Sequence, residues 1–187
     1  MSAILHPGDV FLTRGKGLKR RAIRFFTRGL GKKRTKVHHV GLVVEGGDLT
    51  SAIILEAVSR VKRHRLWSAY GPPKEDSVAI YRATNLSQDE IDMIVERAES
   101  HVGKRFGYPM IVAHFLDWLL LGAYVFRRIV PGSKYPICSW VVADAFGKAG
   151  KYFGVEVDLA TPDDIWDYVV GRTPSKYEQI HPLNKLA

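Results

Sequence analysis

The spacing of apolar residues along the chain changes period several times, and each change marks a predicted element. After a Pro-Gly turn, "GDVFLT" reads as a short strand. "HHVGLVVE" and "SAIILEAV" are rich in β-branched residues and separated by "GGD", the signal of a hairpin. "RVKRHRLW" and "SVAIYRA" read as two more strands. The period then lengthens. "SQDEIDMIVERAESHVG" puts Ile91, Ile94, Val95, Ala98 and Val102 on one helical face, opens with Ser87 and Glu90 in capping-box register, and stops at Gly103. "TPDDIWDYVVG" repeats that grammar, with Thr161 as cap, Pro162 in the first turn, acids at the positive end of the helix dipole and Gly171 as the stop.

Two further stretches are helical in period but unusual in composition. "LKRRAIRFFTRGLG", bounded by Leu18 and Leu30, predicts a basic amphipathic helix. "PMIVAHFLDWLLLGAYVFRRIVPG" is apolar enough to invite a membrane-spanning reading, but His114 and Asp117 interrupt it and Arg127 and Arg128 close it. Its longest run without a titratable group, from Trp118 to Phe126, falls far short of the roughly 20 residues a span requires. A buried or interfacial helix is the expectation.

Composition narrows the class. The chain has 187 residues, 46% hydrophobic and 25% charged, which fits one globular α+β domain over residues 1–187 and excludes disordered, collagen-like and repeat classes. A single cysteine cannot form an intramolecular disulfide, and no secretory leader is evident, so a cytoplasmic location is expected. The net charge of +9 is concentrated between Arg14 and Lys36, a stretch without one acidic residue. Such a field favours phosphate-bearing partners, an anionic membrane surface among them. A nucleic-acid module would have charge alone in its favour, with no helix-turn-helix, zinc-finger or RNP pattern beside it. The histidines, at 6, 38, 39, 64, 101, 114 and 181, show no metal-ligand spacing, so neither a metal nor another cofactor is expected.

The candidate chemistry centres on the lone thiol. In "YPICSWVVADAFGKAG", Pro136 forces Tyr135 toward extended backbone and the following residues take helical spacing, which places Cys138 at or just before a first helical turn. A helix N-terminus and a neighbouring imidazole are the two standard ways to activate a thiol. His38 or His39, at the head of a strand, supplies the imidazole. If Val40, Leu42 and Val44 face the core, His39 lies on the other face with Gly41, where the missing side chain leaves space for a ligand or a packed helix. Glu56, a carboxylate in an apolar strand, needs a buried partner and could orient the imidazole or pair with an arginine such as Arg60.

The order "PGDVFLTR", "IRFFTRG", "HHVGLVVE", "ILEAV", "GKRFGYP", "YPICSWVVADAF", "ATPDDI" resembles the circularly permuted branch of the NlpC-type papain-like superfamily, and within it YiiX-like proteins; lecithin:retinol acyltransferase is a more distant likeness. The resemblance implies a permuted papain-like fold, an antiparallel sheet or barrel packed against helices that include the cysteine helix. It implies Cys138 as nucleophile, His39 as base and Glu56 as the third polar group. The family's usual aromatic hydroxyl near the oxyanion site falls on Phe106, which has none, so Tyr108 or Tyr135 would have to replace it, and "CSW" puts Ser139 and Trp140 where substrate contacts are expected.

The implied activity is that of a cysteine amidase, peptidase or acyl hydrolase acting on a small peptide or a lipid-like substrate, with the segment from Met110 to Val130 lining an acyl chain. An inactive papain-like binding protein is the alternative.

Overall fold

This computed structural model describes residues 3–15, 36–120, 125–130 and 132–186. The basic helix expected between Leu18 and Leu30 lies outside the described residues.

The strands form a short pair and a larger sheet. β1 (Ile4–Leu5) pairs with β4 (Gly47–Asp48), while β2 (Val10–Arg14), β3 (His39–Glu45), β5 (Ile53–Ala57), β6 (Val61–Arg65), β7 (Ser77–Ala83) and β8 (Tyr177–Lys185) make a six-stranded antiparallel sheet in the order β6-β5-β3-β2-β7-β8. Around it lie α1 (Leu66–Tyr70), α2 (Gln88–Glu99), α3 (Tyr108–Leu119), α4 (Val125–Ile129), α5 (Cys138–Lys148) and α6 (Pro162–Gly171). The mixed α+β class and the antiparallel sheet agree with the sequence reading.

Strand alternation splits the interior into two apolar clusters, one per face of the sheet. Val40, Leu42 and Val44 of β3 and Leu55 of β5 face α5, where they meet Val141, Val142 and Phe146. On the other face Phe11, Val43, Ile54 and Ile80 pack with Leu66 and Tyr70 of α1. The predicted helix starts hold. Ser87 and Glu90 form a reciprocal capping box at α2, and Thr161 with Asp164 does the same at α6.

Three features depart from the periodicity. The apolar segment is two helices rather than one, because Asp117, fully buried, accepts a hydrogen bond from the Phe126 backbone N–H at 2.7 Å and so ties the start of α4 to the end of α3. Among the described residues, no helix is long and apolar enough to cross a membrane. Gly41 opens no ligand space: Phe11 stands directly opposite it across β2 and β3, and a Cβ at Gly41 would lie 2.4 Å from the Phe11 ring. β8 was not foreseen, since "YEQIHPLNK" carries a proline and several polar residues and survives as a strand only at the sheet edge.

Candidate active site

α5 starts abruptly. Ile137 is its cap residue, with extended backbone (φ −108°, ψ 169°), and no side chain caps the helix; Cys138 is therefore the first helical residue. The amides of a first turn have no intrahelical acceptor, so this is a position at which backbone N–H groups can face a developing negative charge. Cys138 is 8% exposed and belongs to the cluster on the α5 face.

His39, the first residue of β3, stands beside the Cys138 sulfur, close enough for the sulfur to act on its ring. Its Nε2 lies 2.5 Å from Oε2 of Glu56, which leaves Nδ1 for the sulfur. Glu56 is two residues out of direct register with His39 on the neighbouring strand, since Leu42 opposes Leu55, and the two side chains share a face. Burial works against charge on the imidazole, but the negative charges of Cys138 and Glu56 and a hydrogen bond to each outweigh it, and the His39 pKa is pushed up to about 10. Burial likewise opposes ionisation of Glu56; the charge of His39, hydrogen bonds from His39 and Tyr70 and the close approach of His64 prevail and hold the carboxyl well below the usual carboxylate range. At neutral pH the arrangement is an imidazolium held between the Cys138 sulfur and the Glu56 carboxylate.

Of the two adjacent histidines, His39 is the one that meets both Cys138 and Glu56. His38 points the other way, is buried, and accepts a hydrogen bond from the Gly15 backbone at 3.3 Å through Nδ1. Glu56 turns to the histidines rather than to Arg60, whose backbone bridges to Arg105.

The residues expected to touch substrate divide into two groups. Ser139 is fully buried and donates to the Ala160 carbonyl at 2.7 Å, and Trp140, 4% exposed, donates from Nε1 to Asp158 at 2.7 Å while its ring meets His101 edge-on. Both point inward and anchor α5. Phe106 and Tyr108 flank Gly107, whose N–H meets the loop before Cys138; Tyr108 is 65% exposed with its ring edge-on to Phe106, and Tyr135 lies three residues before the thiol.

What joins these loops is Gly107. Its N–H donates to the Pro136 carbonyl at 2.8 Å, and a Cβ there would stand 2.0 Å from the Tyr135 carbonyl oxygen. The "GKRF" stretch before it is laced to β6 by bonds from Gly103 to Val61, from Val61 to Lys104 and from Phe106 to Ser59.

Three more residues near Glu56 escape a reading of the sequence. The Tyr70 hydroxyl donates to Oε2 of Glu56 at 2.5 Å, and burial followed by the charge of Glu56 raises its pKa well above the ordinary value, so it remains a donor. His64 Nε2, shielded from solvent, lies 2.7 Å from Oε1 of Glu56, close to the carboxylate but out of hydrogen-bond alignment. Thr13 opposes His39 across the sheet, and its buried hydroxyl has no partner among the described residues. The β-register brings His64 to Glu56 and Thr13 to His39, and α1 carries Tyr70 to Glu56; no local pattern encodes either.

With this geometry in place, comparison with solved structures finds a crystal structure of the metalloprotein YiiX from Escherichia coli O157:H7, superposable with a TM-score of 0.52 at 19% identity over 96% of this chain and 86% of that one. The two share a fold. At that identity the likeness to YiiX extends to architecture and leaves activity open. No protein-family model matches the chain, and no curated protein matches it.

Proposed function

We propose that the chain is a thiol-dependent acyl-transfer enzyme, a hydrolase or acyltransferase with Cys138 as nucleophile, His39 as general base and acid, and Glu56 as the group that orients the imidazole. The observation that carries this reading is the single line of contacts from Cys138 through the two ring nitrogens of His39 to a buried Glu56. The Cys138 sulfur, its proton already held on His39, attacks a carbonyl carbon, and the carbonyl electrons move onto an oxyanion beside the first-turn amides of α5. Collapse of that adduct breaks the bond to the leaving group, which takes the proton from His39. Water or another acceptor, deprotonated by His39, then attacks the thioester and returns the thiol. The bond cleaved is an amide, ester or thioester of a small peptide or a lipid-like molecule.

The histidine strand precedes the cysteine helix, the order of the permuted papain-like branch, and this supports the same reading. The metal named for YiiX does not carry over. Ligands of a tetrahedral zinc ion, each about 2.0–2.1 Å from it, stand about 3.3 Å apart. The imidazole nitrogens of His39 and His64 are 2.5 and 2.7 Å from Glu56 oxygens, a spacing that suits direct contact and not an ion between them. No group of three or more metal-ligating side chains is arranged around an ion site among the described residues.

The test is carbamidomethylation by iodoacetamide across pH, followed by turnover of a panel of p-nitrophenyl esters and amino-acyl amides. Wild-type protein should alkylate faster at neutral pH than the His39→Ala variant, and Cys138→Ala should lose turnover. Full turnover by Cys138→Ala would overturn the proposal.

A further inference from the structure

We infer that Tyr70 and His64 form a two-sided clamp on the Glu56 carboxylate and act as positioning residues for His39, an inference that rests on the thiol-dependent reading above. The terminal torsion of a glutamate is broad and roughly two-fold, so a single contact to one oxygen does not fix the carboxylate plane. Here each oxygen is engaged. Oε2 takes the Tyr70 hydroxyl at 2.5 Å besides His39, and Oε1 meets His64 at 2.7 Å. Rotation of the carboxylate would break contacts on both sides at once.

The supporting elements are rigid. The Tyr70 ring packs against Phe11 at 5.7 Å between centroids, and Phe11 in turn fills the gap above Gly41 and lies 6.4 Å from the His39 ring. His64 sits opposite Ile54 on β6, the diagonal neighbour of Glu56 on the same face of the sheet. Thr13, His39, Glu56 and His64 thus form a polar diagonal across β2, β3, β5 and β6 on a face otherwise filled by Phe11, Val43 and Ile54. A carboxylate in such surroundings is retained only with partners. A purely structural partner would raise stability and leave the imidazole unaffected; a positioning partner also fixes the His39 Nε2–H.

That difference is measurable on the full chain by proton NMR of the downfield imidazole N–H region, with the His39 signal assigned by its loss in His39→Gln. Tyr70→Phe removes one hydroxyl and keeps the ring packing, which guards against a failure to fold. His64→Ala removes the other contact. Each variant is expected to broaden the His39 signal through faster exchange with water and to slow Cys138 alkylation at pH 7, Tyr70→Phe by about tenfold, the size of one lost charge-assisted hydrogen bond. An unchanged signal and rate in either variant, even with a lower melting temperature, overturns the assignment for that residue. If His39→Gln alkylates at the wild-type rate while Tyr70→Phe still broadens the signal, the clamp stands and the thiol-dependent function fails.

Discussion

Replacing Gly107 by alanine perturbs the site without touching any of its chemical groups. The added Cβ would stand 2.0 Å from the Tyr135 carbonyl oxygen and 2.5 Å from its carbonyl carbon, where real Cβ contacts below 3.0 Å are essentially absent, so at least about 1 Å of backbone movement is required. The movement has two routes. The 103–107 loop can retreat only by straining its bonds to β6, Gly103 to Val61 and Val61 to Lys104 at 2.9 Å and Phe106 to Ser59 at 3.1 Å. The facing loop can retreat only by carrying Pro136 and Ile137, and with them Cys138, away from His39.

Either route breaks the 2.8 Å bond from Gly107 to Pro136. With overpacking at about 1–3 kcal/mol and one or two backbone bonds at about 1 kcal/mol each, a loss of about 2–4 kcal/mol in unfolding free energy is expected. A misplacement of about 1 Å at a reacting group is associated with rate losses of up to about a hundredfold, so alkylation of Cys138 should slow by about tenfold or more. Urea denaturation and iodoacetamide kinetics on the same preparation measure the two effects. Gly171, at the end of α6, is the control: a Cβ there meets nothing within 4 Å, so alanine should be neutral or stabilising by up to about 1 kcal/mol. Wild-type urea midpoint and alkylation rate in Gly107→Ala would refute the idea that this close approach sets the position of the thiol.

Two other outcomes follow from the same geometry. The folded pKa of Glu56 lies below its ordinary 4.5, so its contribution to stability is present above that pH and lost as pH falls through the folded value; that of His39, raised from 6.5 to about 10, is full below 6.5 and lost as pH rises toward 10. The difference in unfolding free energy between wild type and His39→Gln should therefore be largest at pH 4.5–6.5 and shrink toward pH 10, and a difference that stays flat over pH 5–10 would contradict the assigned shifts. Trp140→Phe removes the 2.7 Å bond to Asp158 and should cost about 1–2 kcal/mol in chemical denaturation with no change in Cys138 alkylation, as suits a side chain facing inward.

Much of this architecture was legible because it is encoded locally. The Ser87–Glu90 and Thr161–Pro162 signatures mark helix starts through contacts three residues apart, and the Pro136–Cys138 sequence places the thiol at a helix start for the same reason. Alternation along β3 correctly put His39 on the face opposite Val40. Where outcomes depended on pairing between distant segments, the sequence was silent. Nothing near Gly41 names Phe11 as the side chain that fills its space, and His64 sits among charged residues that resemble a solvated edge. A helix adjoining a nucleophile has an inner face as well as an outer one, and only the bonds to Ala160 and Asp158 show that Ser139 and Trp140 lie on the inner one.

The chain has one cysteine, and that cysteine is 8% exposed at the edge of an apolar cluster, which makes it a native-state clock for local opening. A small reagent such as iodoacetamide samples the closed site, where the His39 contact governs its rate. A bulky disulfide reagent must wait for α5 to part from the sheet. The ratio of the two rates, followed through increasing urea, would report the free energy of that separation apart from global unfolding, with no label introduced and no second thiol to confuse the signal.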